Sequence, residues 1–393
     1  MSSQSDRTGS AARAFALGAA LLVGINLRPA ITSVSTLLDQ ATRAFALTGV
    51  ERSLLATLPV IAFGLTAPLG PMLSRRIGTS RSLLVAMAVL AVALVTRVLA
   101  GWMLLPGTFL AGAAIMVAAT LLPPYLKSLD ASGLWVGLSS MSFGVGAALG
   151  AGFAVPLDSM LGGVAPALAA WALLAVLAAL AMIPIGRGDR SPGQRPPRIV
   201  IDGGNRLTMI IMTAVFSLQA LLYFAVTTWL PLMLASHGEN RAVAGLLLGW
   251  FSLIGLIPTL VAPVIARRRR ILTWFGPGLG IVMGASFAWF AFDAGSDVAI
   301  VTILGIAQNA GFGLAMGLLV SLAADAPSAG LLSAIAQGVG YIVAGGGSLL
   351  FGVVHDATGA WTATLVLMAL CGASLSAVVA LVIRRRPVSL VAR

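Results

Sequence analysis

Apolar residues run through this chain in stretches of about twenty, separated by short polar turns. A stretch of that length spans the hydrocarbon core of a bilayer as a helix. The short alternating segments of a membrane barrel do not occur. Twelve membrane helices are predicted, at 14–38, 51–73, 81–101, 105–126, 133–156, 163–185, 207–235, 242–266, 271–292, 298–323, 328–353 and 360–383. The first is too long for a signal-peptide core and is expected to be retained. The one long polar interruption, "RGDRSPGQRPPRIVIDGGNR" at 187–206, is rich in Arg, Gly and Pro and reads as a linker. It divides an N-terminal six-helix half, 1–186, from a C-terminal six-helix half, 207–393.

The halves repeat one another faintly. "PMLSRR" at 71–76 matches "PVIARR" at 263–268, and "GVG" at 144–146 matches "GVG" at 338–340. The offsets, 192 and 194, are nearly equal and join corresponding spans. The expected fold is therefore an all-α membrane protein, twelve transmembrane helices in two pseudosymmetric halves.

Composition agrees: 59% of the residues are hydrophobic, 9% are charged, and the mean hydropathy is +1.01. Such a chain cannot cover a globular surface with polar groups, so lipid is its main solvent. The net charge of +12 would suggest nucleic acid were the basic residues not confined to short clusters between apolar runs. With both termini in the cytoplasm, 19 of the 24 Lys and Arg fall inside, 4 outside, and Arg28 within the membrane. The positive-inside rule thus predicts cytoplasmic termini in a bacterial inner membrane. Cys371 alone builds no disulfide framework, and His237 and His355 are too far apart to suggest a metal site. No metal, cofactor or nucleic acid partner is expected, and a monomer is.

Arg28, in "VGINLRPAITSVSTLLD" at 23–39, is the unusual charge. At about 100° per residue it shares one sector with Thr32, Ser35, Thr36 and Asp39, so that face is expected to meet water rather than lipid. It lies too deep to snorkel out. Pro29 removes an amide, leaves the Ile25 carbonyl without its helical donor and permits a kink. None of the twelve Asp and Glu lies deep in a span, so Arg28 lacks an evident counter-charge. Either a substrate supplies it, or Arg28 caps the carbonyls of a broken helix.

Several stretches resemble one family. "NLRPAITSVSTLL", "LLPPYLK" at 121–127, "WLP" at 229–231, "RRIG" at 75–78 and "AQGVGYIVAGGGSLLFGVVHDATGAW" at 336–361 are similar to the cyanate and 2-nitroimidazole porters of the major facilitator superfamily. Arg75 stands where the superfamily's loop motif usually has aspartate, so a latch built on that carboxylate is not expected. The resemblance implies a carrier of a small molecule, with a central cavity lined by spans 1, 4, 7 and 10, helped by 2, 5, 8 and 11. On those spans, Gln219 and Tyr223 share a face by i, i+4 spacing, as do Gln337 and Tyr341, and Asn309 adds an amide. Arg28, Thr32, Gln219, Tyr223, Asn309, Gln337 and Tyr341 are the candidate substrate contacts; the amides could equally serve bonds between helices.

No nucleophile-base spacing or paired carboxylates occur, so an enzyme is not expected. The expected function is secondary transport of a small anion or compact polar molecule, cyanate-like or nitroimidazole-like, by alternating access. The alternative is a proton-coupled multidrug or toxic-compound efflux pump. Such pumps usually carry an intramembrane carboxylate, which is not evident here.

Overall fold

Proline and glycine mark several of the places where the long helices of this protein break. The computed structural model describes residues 2–186, 203–239, 241–292 and 296–389; residues 187–202, most of the expected linker, lie outside them. The first half of the chain forms α1 (Ser2–Asn26), α2 (Pro29–Thr36), α3 (Leu38–Ala44), α4 (Gly49–Thr66) and α5 (Leu69–Ile77). It continues with α6 (Thr79–Thr96), α7 (Leu104–Ser128), α8 (Gly133–Leu161), α9 (Val164–Ala170) and α10 (Ala172–Gly186). The second half forms α11 (Gly203–Ser236), α12 (Arg241–Ile254), α13 (Leu256–Ala266) and α14 (Arg269–Phe292). It ends with α15 (Asp297–Ser321), α16 (Ala326–Thr358) and α17 (Trp361–Ile383). Helix α11 begins at Gly203, within the stretch read as linker.

Eleven helical stretches among the described residues are long and apolar enough to cross a membrane. They correspond to every predicted span but the second, which is built as α4 and α5 around Pro68. The first span breaks at Leu27 and Arg28, where Pro29 cannot donate its amide. The eighth breaks at Gly255, and Pro258 leaves the Ile254 carbonyl without its i+4 donor. Gly162 and Gly359 close α8 and α16 at φ +75° and +68°, a conformation that suits glycine.

Helices pack chiefly within their own half of the chain. The halves meet where α8 lies along α13, and where α4, α5 and α7 lie along α16. Glycines make these seams close. A Cβ on Gly137 would collide with the Leu260 carbonyl, one on Gly133 would lie 2.8 Å from Val264 Cα, and one on Gly338 2.7 Å from Ala67 Cβ. Arg267, at the end of α13, donates across the same seam to the carbonyl of Ala131. These contacts sit toward the end of the bundle that carries Arg75, Arg76 and the exposed cluster Arg267 to Arg270. At the opposite end Gly152 and Gly249 face open space, and Ser35 and Thr36 are exposed. The contacts between the halves thus gather toward the arginine-rich end.

The glycine run "GVGAALGAG" in α8 faces two ways. Gly144 meets Leu256 of the other half, but Gly146 lies against the Ile25 carbonyl and Gly150 against Pro29 and Thr32 of its own half. The carbonyl freed by Pro29 is therefore covered by a glycine that leaves it room.

Candidate functional site

The break at Leu27 and Arg28 sets the site. Arg28 is the N-cap of α2, with φ −123° and ψ −35°, so its side chain leaves the helix at a bend rather than along a regular face. Its carbonyl accepts from the amides of Ile31 and Thr32 at 3.0 Å each, which anchors the bend. Among the described residues the guanidinium has no hydrogen-bond or carboxylate partner. Its Cζ lies 5.7 Å from the centroid of the Tyr223 ring, which is cation–π distance.

Arg28, Phe216, Gln219, Ala220, Tyr223, Phe224, Phe312 and Tyr341 line one cavity between the halves. The centre of a water-sized sphere can occupy about 10 Å³ of it, room for about one water. Tyr341 is 7% exposed and sits among Phe63, Phe216 and Phe224, with ring centroids 5.2, 5.6 and 5.9 Å away. Its hydroxyl has no partner among the described residues. Ala220, which stands at the repeat offset of 192 from Arg28, lines the same space.

Gln219 is buried and donates through Nε2 to the Gln308 carbonyl at 2.7 Å and to its Oε1 at 3.2 Å. This ties α11 to α15. It leaves Gln219 Oε1 as a buried acceptor, and Gln308 Nε2 as a buried donor, with no partner. The bare oxygen lies against Gly311 of α15 and is closed to solvent, so the free polar group of the cavity is the Arg28 guanidinium.

The other candidates lie elsewhere. Thr32 donates to the Arg28 carbonyl at 3.2 Å and packs on Gly150, so it supports the bend. Asn309 gives its amide hydrogens to the carbonyls of Gly305 at 2.9 Å and Phe251 at 3.3 Å, and packs on Gly255 at the break of the eighth span. Gln337 does not line the cavity with Tyr341. Its Nε2 donates to Ser333 Oγ and, at 3.3 Å, to the carbonyl of Ala119 across the seam. Pro123 explains that bond, because it lacks the amide that would otherwise reach the Ala119 carbonyl.

Sequence reasoning missed the walls formed by Phe224 and Phe312. Phe312 follows Gln308 at i+4, a signal that was available. It also missed the pairing of His237 with Asp297, whose Nδ1 and Oδ1 stand 2.9 Å apart and join the ends of α11 and α15. Asp297 is 5% exposed, which makes it a buried carboxylate close to the open end.

Known proteins share both sequence and architecture with this chain. A family profile described as Major Facilitator Superfamily matches residues 14–347. An uncharacterized transporter of Bacillus subtilis, YycB, is 30% identical over 363 residues, covering 88% of each chain. The 2-nitroimidazole transporter of Escherichia coli is 29% identical, covering 88% of this chain and 89% of its own. The cyanate transport protein CynX of Escherichia coli is 27% identical, covering 89% and 92%. Among solved structures, the transporter FucP in its outward conformation superimposes with a TM-score of 0.72 at 14% identity, covering 93% of this chain and 98% of its own.

Proposed function

Because the chain belongs to the Major Facilitator Superfamily, we propose that it carries a compact, flat, electron-rich molecule across the bacterial inner membrane by alternating access, with Arg28 as the principal contact. One observation carries this reading: a guanidinium without a hydrogen-bond partner faces an aromatic cavity between the halves. Leaving a permanent charge unpaired there costs several kcal/mol, about 2.5–3.5 on insertion scales. A substrate with negative or electron-rich oxygens lowers that cost on binding.

The cavity supports a nitroimidazole-like substrate over a cyanate-like one. Cyanate satisfies Arg28 but has no ring to lie on the aromatic walls. A nitroimidazole offers nitro oxygens to Arg28 and a flat face to Tyr223, Phe216 and Tyr341. The space present is too small for such a ring. Entry therefore requires the walls of the cavity to move apart. The positive-inside rule assigns the arginine-rich end to the cytoplasm, which makes this conformation outward-facing.

A thermal-shift series on purified protein tests the proposal, since a ligand of the native state raises its melting temperature as concentration exceeds Kd. The expected order is strong stabilisation by 2-nitroimidazole, weaker stabilisation by cyanate and none by a lipophilic cation such as tetraphenylphosphonium. Stabilisation by the cation alone would overturn it in favour of a drug pump.

A further inference from the structure

The seam between the halves also opens on its outer side. Where α4 and α5 lie along α16, a groove runs from Gly64 and Ile342 at one end to Arg75 and Leu331 at the other. The centres of water-sized spheres can occupy about 430 Å³ of it, against about 10 Å³ of the central cavity. The helices set which way it faces. Tyr341 turns to the central cavity, and its neighbour Ile342 to the groove. Gly70 packs on Thr120 and Gln337 donates to the Ala119 carbonyl, so α7 takes the inner faces of α5 and α16. Met72, Val339 and Ile342 in the groove are exposed, and exposed apolar side chains on a membrane span meet lipid.

The groove has the length of one leaflet. Gly64 and Arg75 are eleven residues apart, as are Leu331 and Ile342, which is about 16 Å of helix. Half of the hydrocarbon core of a bilayer is about 15 Å. The groove is also charged at one end only. Arg75 carries the single polar side chain of the lining; with Arg76 it ends α5, and both are exposed. Among the described residues Arg75 has no hydrogen-bond or carboxylate partner.

Water does not fill such a space, because the walls offer it too few polar partners. A bare hydrocarbon chain suits the walls but leaves the donors of the guanidinium unused. A phospholipid supplies both an acyl chain for the walls and phosphate oxygens for the planar fork of donors. Its net charge is decided by what else faces the headgroup. α5 and the part of α16 along the groove carry no acidic residue, and both oxygens of Asp325, the N-cap of α16, are taken by the Ser328 amide and the Ser389 hydroxyl. A headgroup ammonium therefore finds no partner there, and Arg76 repels it. We infer that this groove binds one anionic phospholipid of the leaflet at the arginine-rich end, with an acyl chain between α4, α5 and α16 and its phosphate on Arg75. That lipid touches both halves of the chain and lies apart from the central cavity.

Native mass spectrometry of the full-length protein tests the site, with dioleoylphosphatidylglycerol or dioleoylphosphatidylcholine added to the detergent at one concentration. One phosphatidylglycerol is expected to be retained several-fold more than phosphatidylcholine. Arg75→Gln removes that preference, and Val339→Trp, which puts a bulky ring into the groove from an exposed position, lowers phosphatidylglycerol retention several-fold. Arg270→Gln, in the exposed cluster outside the groove, and Arg28→Ala, in the central cavity, retain the lipid like the parent. Glycerol 1-phosphate, the headgroup phosphate without its chains, does not displace it. Equal retention of the two lipids by the parent, parent-like preference in Arg75→Gln, unchanged retention in Val339→Trp, an equal loss in Arg270→Gln, or displacement by glycerol 1-phosphate would each overturn the site.

Discussion

At Arg28 the chain combines a side chain that keeps its charge at any physiological pH with a following proline that opens the helix. Both features act on one function, because the bend carries the guanidinium off the helix and over Tyr223. Lysine in that position would keep the charge but lose the planar fork and its stacking. Arg28→Lys is expected to weaken binding of the stabilising ligand by about tenfold, or ~1.4 kcal/mol. Arg28→Ala is expected to weaken it by about a hundredfold while the protein still inserts and folds, as isothermal titration on the purified variants would read. Parent-like binding by Arg28→Ala would return Arg28 to the role of a brace. Arg28 and its bend were legible in the sequence because proline chemistry is local. The environment of Arg97 was not: a position near a span end reads as an anchor, and only the packing of α2, α7 and α9 around it makes it fully buried.

Between helices, what matters is which neighbour a glycine faces. The glycine runs "GVGAALGAG" in α8 and "AGGGS" in α16 permit close approach, yet spacing could not say whether a given glycine meets its own half or the other. Gly146 meets the Ile25 carbonyl within one half, whereas Gly137 meets the Leu260 carbonyl across the seam. The two are expected to respond differently to the same methyl group. Overpacking costs about 1–3 kcal/mol. At Gly146 that cost falls on every conformation, so Gly146→Ala lowers the melting temperature. At Gly137 it falls only where the halves touch, so Gly137→Ala shifts the population away from the present state by about tenfold or more. Spin-label distances between α8 and α13 would show that shift, and an unchanged distribution would contradict it. The same limit explains Gln337 and Asn309. Their spacing was readable, but their partners on other helices were not: the Ala119 carbonyl freed by Pro123, and the Phe251 carbonyl beside the break at Gly255.

Over the whole molecule, the pattern of contacts makes a statement about access. The halves are joined by Gln337 to Ala119, by Arg267 to Ala131 and by the glycine seams, all toward the arginine-rich end. Toward the other end the polar face of α2 is uncovered, with Thr36 exposed two turns beyond Arg28. If the positive-inside rule sets the orientation, Thr36 faces the outside and Gly330, which packs on Pro124 of the other half, is sealed from the cytoplasm. Single cysteines at these positions, in a background where Cys371 is replaced by serine, would report both facts. Thr36→Cys is expected to react with a membrane-impermeant maleimide added to intact cells, and Gly330→Cys is not. The backbone at 330 admits a side chain, because a Cβ there would lie 3.5 Å from Pro124, an ordinary contact. In inside-out vesicles the Gly330→Cys thiol would react only slowly, at the rate at which the seam opens, and Gly137→Ala would accelerate it. Labelling of Thr36→Cys from the cytoplasmic face alone would invert the topology, and rapid labelling at 330 in the resting protein would mean that the closed end is not the resting one.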